Sequence, residues 1–157
     1  MTESSLIIRA AEDDDDFILA LVPRFVDFPL PAWRQRHVCN EGVRQELVKQ
    51  LDDPPANNYL FVAEDAERER VGFIHLQRTM DFFSGRNNCH IANLAVAPAH
   101  EGIGIGKALM AHAEEWARKQ QCQLLTLAVF PGNERALGLY EACGYATDLL
   151  RLAKPVR

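Results

Sequence analysis

Glycines at positions 102, 104 and 106 bare the backbone where a helix must begin, in the run His90 to Gly106, HIANLAVAPAHEGIGIG. Successive N–H groups can converge there, and the first turn of the following helix adds unpaired N–H groups and the positive end of its dipole. The chemistry that fits is the holding of a phosphate or pyrophosphate, with the Lys107 amine at the edge of the pocket. A tight strand-to-helix turn, using glycine only for its dihedral freedom, is the plainer alternative. Two familiar phosphate loops do not fit. The dinucleotide fingerprint needs a further glycine where Lys107 stands, and an acidic residue near Leu125 that is absent. The nucleotide P-loop is one residue too long for Gly102 to Lys107, and Ala108 stands where a magnesium-binding Ser or Thr should be.

The loop Glu101, Gly102, Ile103, Gly104, Ile105, Gly106 does match another pattern: Arg or Gln, two residues, Gly, one residue, then Gly or Ala. Ahead of it Leu94, Ala95, Val96, Ala97 and Pro98 form an apolar strand with a V-x-P turn. After it Asn133, Ala136, Leu139, Tyr140, Glu141, Gly144 and Tyr145 match N-x-x-A-x-x-L-Y-E followed by G-F/Y. On these two signatures the chain resembles the GNAT superfamily of N-acetyltransferases over nearly its whole length. The resemblance implies transfer of an acetyl group from acetyl-CoA, a cosubstrate, to a primary amine by direct attack in a ternary complex, with no metal. It makes Gly102 to Lys107 the pyrophosphate loop and assigns the backbone of Leu94 and Val96, with Ala95 between them, to the pantetheine amides. Tyr140 becomes the acid that protonates the departing thiolate. Asn133 can bond the pantetheine or simply cap a helix. One departure is Glu101, where the family prefers Arg or Gln; its carboxylate is expected to face solvent or pair with a basic neighbour.

The remaining chemistry is less sharply marked. A main-chain N–H, that of Leu94, could polarise the thioester carbonyl. His90 lies where several family members carry a Glu, and imidazole has an unperturbed pKa near ~6.5, suited to a general base. His75 and Glu64 are reserves. Cys143, three residues after Tyr140, would serve a covalent route, although buried packing explains it as well. The acceptor would be a small-molecule amine or a peptide or protein amine. It would be held by Phe25, Phe28, Trp33, Arg34, Arg36 and His37, with the loop around Phe82 and Phe83. A non-catalytic acyl-CoA-binding sensor or interaction domain is the alternative.

The elements that must position these residues alternate along the chain. A strand at Leu6 to Ala10 precedes a helix begun by Asp13 to Asp16, whose charges read as a solvated helix start. Pro23 to Pro31 breaks the chain, and a second helix is expected from Ala32 to Leu51, with an interruption near Asn40 and Gly42. Tyr59–Glu64 and Val71–Arg78 read as a hairpin, followed by a strand at Cys89–Val96. The helix after the glycines carries Ile105, Ala108, Leu109, Ala113, Trp116 and Ala117 at spacings of three and four. Leu124 to Val129 is an apolar strand, Asn133 to Gly144 the last helix, and Tyr145 to Ala153 a last strand. The expected fold class is α/β (α+β), a GNAT-like mixed, mostly antiparallel six- or seven-stranded sheet. Helices cover both faces, and the central strands splay around acetyl-CoA.

Composition sets the outer bounds. A chain of 157 residues suits a single domain spanning 1–157. Its formal charge of −5 argues against a general nucleic-acid binder. The acidic N-terminus MTESSLIIRAAEDDDD is no secretory signal, and no apolar run is long enough to span a membrane. Cys39, Cys89, Cys122 and Cys143 have neither zinc-site nor disulfide spacing and read as free thiols in a reducing cytoplasm. A homodimer is left open, since a seventh strand could come from a partner.

Overall fold

A computed structural model describes residues 5–157; the first four residues of the expected domain lie outside them. Two strands whose burial is continuous rather than alternating, as expected where both faces are covered, form the long hairpin of β3 (Arg70–Met80) and β4 (Asn87–Val96), the middle of one five-stranded sheet. β1 (Ile7–Ala10) and β2 (Asn58–Glu64) extend it antiparallel on one side, and β5 (Leu124–Leu127) joins β4 in parallel on the other, giving the order β1-β2-β3-β4-β5.

The two sheet faces are covered by different helices. Ile74, Leu76, Cys89 and Ile91 pack against α3 (Ile105–Lys119), which buries Ile105, Leu109, Ala113 and Ala117 of the stripe anticipated from its spacing and, beside them, Met110. On the other face Val62, Phe73 and Ala95 pack against Ile18 of α1 (Asp15–Ala20), Leu21 and Val22 just beyond it, and Leu47 of α2 (Arg36–Asp52). The last helix, α4 (Glu134–Ala142), starts at Asn133, whose Oδ1 accepts the Ala136 amide at 3.2 Å. It stops at Gly144, where φ is +93°.

Several expectations need correction. The sheet has five strands among the described residues, not six or seven, because regular structure ends at Ala142 and Tyr145 to Ala153 forms no strand. β5 is only four residues long, a short edge to pair with. The tail beyond it breaks its apolar residues with Asp148, Arg151 and Lys154 and leaves Leu149, Leu150 and Leu152 exposed. The first helix, expected from the acidic run through about Val22, ends at Ala20, and a 3-10 turn at Val22–Val26 follows it, with Pro23 near its start, where a missing N–H costs nothing. α2 starts four residues late and runs unbroken through Asn40 and Gly42.

The acidic run is not simply solvated. Asp14 is buried, and its carboxylate receives Arg9 at 2.7 Å, the Glu12 amide at 2.8 Å and Arg70 at 3.4 Å. Burial alone would raise the Asp14 pKa; the hydrogen bonds from Arg9, Glu12 and Arg70 outweigh it and hold the carboxyl below its ordinary range. The run therefore ties β1 and β3 to the start of α1.

Candidate active site

Pairing between β4 and β5 ends at Ile91 opposite Leu127. Beyond that point β4 stays paired with β3, while residues 92–96 and 127–130 line a cleft of about 660 Å³. β4 also carries a bulge there. His75 faces Asn93 and Leu76 faces Ile91, so Ala92 has no counterpart on β3. A strand that has lost one neighbour leaves backbone groups toward the cleft, a template for amide groups of a ligand.

The glycine loop forms one end of the cleft. Gly102 and Gly104 have φ of +77° and +91°, the left-handed region that favours glycine. Gly104 is the N-cap of α3, and no side chain caps that end. The first N–H groups of α3 are therefore left without intrahelical partners in a wall that contains Gly104, Ile105, Gly106 and Lys107. Gly106 has a second reason to be glycine, since a Cβ there would stand 3.2 Å from Leu139 of α4.

Glu101 lines the cleft, and its carboxylate pairs with Arg24 and, at 2.6 Å, with Arg135. The basic neighbour expected for it is thus two arginines, from the turn after α1 and from the first turn of α4. Sequence reading missed both. Arg135 carried a signal, because a cation in the first turn of a helix opposes the dipole unless an anion answers it. Arg24 carried none.

Tyr140 lies in the same wall as Asn133, Ala136 and Leu139. Burial, with a smaller effect of Cys143, raises its pKa, so the phenol holds its proton across the physiological range. Leu94, Ala95 and Val96 line the opposite wall. Of the cofactor-binding set, only Ile103 is not among the lining residues, and it is exposed.

The base candidates separate. His90 is not among the lining residues; its Nδ1 meets the Thr126 hydroxyl at 2.9 Å, and burial lowers its pKa. Glu64 accepts Arg9 at 3.1 Å on β2 and so belongs to the ion-pair group around Asp14. His75 borders a side chamber of about 390 Å³ together with Arg34, Glu46 and Gln77. That chamber and the cleft share Phe25, Val43, Ala92, Asn93 and Phe130. Cys143 lines neither, and burial raises its thiol pKa.

Of the expected acceptor residues, Phe25 and Phe28 line the cleft, and Arg34 stacks over Phe130 at 5.6 Å. Arg36 instead donates to the Val26 and Phe28 carbonyls at 2.8 and 2.7 Å, which holds the preceding segment in place. Phe82 and Phe83 stand at the tip of the β3–β4 hairpin, 90% and 75% exposed, at the end of β4 opposite the cleft.

A family model for the acetyltransferase (GNAT) family matches residues 24–145. The chain belongs to the GNAT family. It is 30% identical over 104 residues to an aminoglycoside N(6')-acetyltransferase type 1 of Stenotrophomonas maltophilia, covering 64% of this chain and 67% of that one. A mycothiol acetyltransferase of Propionibacterium freudenreichii subsp. shermanii is 31% identical over 151 residues, 93% of this chain but 46% of the relative. The chain thus spans about two thirds of one relative and under half of the other. A solved Pyrococcus furiosus protein, provisionally named an acetyl transferase, is 26% identical with a TM-score of 0.76, covering 96% of this GNAT chain and 99% of its own. Acetyl transfer in general is therefore common ground between this chain and its relatives.

Proposed function

We propose that this GNAT protein is an acetyl-CoA-dependent N-acetyltransferase acting on a primary amine by direct attack in a ternary complex. The observation that carries the reading is a single cleft that joins the uncapped start of α3, the unpaired edge of β4 and the phenol of Tyr140. Bound acetyl-CoA would supply an acetyl group activated as a thioester.

The residues fit that group. The free amides of Gly104 to Lys107 and the Lys107 amine would hold its pyrophosphate. Leu94 and Val96, on either side of Ala95, offer strand-like backbone partners for the pantetheine amides, since the Ala95 groups belong to the pairing with Phe73 on β3, and Asn133 can add a further bond. The Leu94 amide is the donor for negative charge gathering on the thioester oxygen in the transition state. Tyr140 donates its proton to the departing sulfur. His90, with Nδ1 satisfied by Thr126, has Nε2 left to take a proton from the amine through water.

The acceptor we infer is a small-molecule, peptide or protein amine entering by the chamber beside Phe25 and Phe130. The relatives' names support small amines, since one acts on aminoglycosides. The test is thiol release from acetyl-CoA with a panel of amines. Acceptor-dependent release is expected; acetyl-CoA binding with no release for any amine would favour a non-catalytic acyl-CoA sensor.

A further inference from the structure

A buried polar chain runs from β2 to the junction of the cleft and the side chamber. His75, 1% exposed, lies directly across β3 and β4 from Asn93. Its Nδ1 is 3.1 Å from the Asn93 carboxamide, and its Nε2 is 2.8 Å from Asn58 Oδ1. Asn58 Oδ1 also accepts Gln77 Nε2 at 2.9 Å, while Asn58 Nδ2 donates to the Ala56 carbonyl at 3.1 Å. Both ends of the Asn58 amide are thus assigned, and only its oxygen can face His75.

Donor and acceptor accounting fixes the rest. Because an oxygen meets Nε2, that nitrogen must carry a proton. The ring is buried and both its nitrogens meet amides rather than a carboxylate, and burial outweighs the bond to Asn93 and the charge of Glu46 to lower its pKa; at neutral pH the ring is therefore neutral and Nδ1 is a bare lone pair. An oxygen of Asn93 at the 3.1 Å contact would set two acceptors face to face. Half a turn of the carboxamide brings Nδ2 there instead and sends Oδ1 the other way. Asn93 borders both cavities and precedes Leu94, at the place where the two meet.

We propose that Asn93 is the residue that takes the acceptor amine, its Oδ1 accepting one amine N–H, and that His75, Asn58 and Gln77 are positioning residues that fix its orientation. One N–H held there leaves the nitrogen lone pair free to turn toward the thioester beside Leu94. The chain has no need to titrate; a neutral His75 in one tautomer is what keeps the carboxamide oxygen outward. This assignment rests on the N-acetyltransferase reading.

The first test needs no substrate. Long-range 15N–1H correlation spectra of the wild-type protein should show His75 as the neutral Nε2–H tautomer; the Nδ1–H tautomer or an imidazolium would overturn the assignment. The second uses glycinamide, tyramine and spermidine as amines, with thiol release as readout. Asn93→Ala should lower kcat/KM for the amine by roughly 10- to 100-fold while acetyl-CoA affinity stays within about twofold. Asn58→Asp, nearly the same shape, would protonate His75 and make Nδ1 a donor, turning the Asn93 oxygen inward. Its loss of amine kcat/KM should approach that of Asn93→Ala. Wild-type amine kinetics in a folded Asn93→Ala protein would sink the proposal and leave the transferase reading standing. Failure of the wild type with all three amines, despite acetyl-CoA binding, would instead sink the transferase reading and this assignment with it.

Discussion

Tyr140 is the residue on which the proposed chemistry depends most directly. Its environment raises the phenol pKa, which suits an acid that must arrive protonated. Tyr140→Phe keeps the ring and removes the proton, so kcat should fall by roughly 10²-fold or more with acetyl-CoA affinity little changed; equal turnover in both proteins would remove Tyr140 from the mechanism. His90 makes a different demand. Its pKa is lowered by burial, so if it is the base, activity should rise as pH passes a value below ~6.5, where the imidazole loses its proton. His90→Ala should erase that limb of the profile; a limb that survives belongs to another group. The sequence pointed to Tyr140 through its resemblance to the GNAT family, whose L-Y-E element Leu139, Tyr140 and Glu141 match. It could not point to Arg24 or Asn93, whose roles arise from partners on other elements and leave no mark in local spacing.

The elements were legible wherever one periodicity held for several turns or strand pairs. α3 follows its spacing of three and four, and the expected pairing of Tyr59–Glu64 with Val71–Arg78 is found in β2 and β3, since these elements bury their apolar residues against a whole sheet face or helix. Legibility failed at the edges. The tail after Gly144 reads as a strand by composition, yet a strand exists only by pairing, and nothing in residues 145–157 pairs with β5. The acidic run read as a helix start but hides an ion-pair knot, because the partners Arg9 and Arg70 stand on two different strands. Two predictions belong at this scale. Gly104→Val would force a branched residue into φ of +91° at the N-cap of α3, and acetyl-CoA binding should weaken sharply; calorimetry showing unchanged affinity would make the loop purely structural. Asp14→Asn should cost about 1–3 kcal/mol at neutral pH by removing the buried carboxylate's charge-assisted hydrogen bonds to the part-exposed Arg9 and Arg70. Because the folded pKa of Asp14 is depressed, its contribution is present above the unfolded value near ~3.9 and is lost as pH falls through the lower folded one. Urea titrations should therefore show the two proteins converging in strong acid, and equal stability at pH 7 would remove Asp14 from the account.

At the scale of the whole molecule, α4 packs through Leu139 and Tyr140 against the core that α3 shares with the sheet, and two further contacts cross toward the segment after α1. Gly132, in the turn after β5, lies so close to the Pro29 carbonyl that a Cβ would overlap it, which ties that turn to the segment after α1. The ionic strap of Arg24, Glu101 and Arg135 makes a second crossing, with two positive charges gathered around one negative charge beside the glycine loop. Glu101 is thus no defect in a phosphate site. Unit charges about 4 Å apart interact by roughly 1 kcal/mol in bulk water and about 4 kcal/mol at an effective dielectric of 20, and here that attraction is spent on the arginines. A diphosphate arriving at the loop would compete with the carboxylate for the same guanidinium groups. Glu101→Gln should release both arginines to the phosphate and tighten acetyl-CoA by no more than roughly tenfold, about 1.4 kcal/mol, with the gain shrinking as salt rises. Arg24→Ala and Arg135→Ala should each weaken binding, and weaken it less at high salt. If calorimetry found no acetyl-CoA binding in the wild type but clear binding in Glu101→Gln, the strap would be a lock on a disabled loop, and a non-catalytic role would replace the transferase.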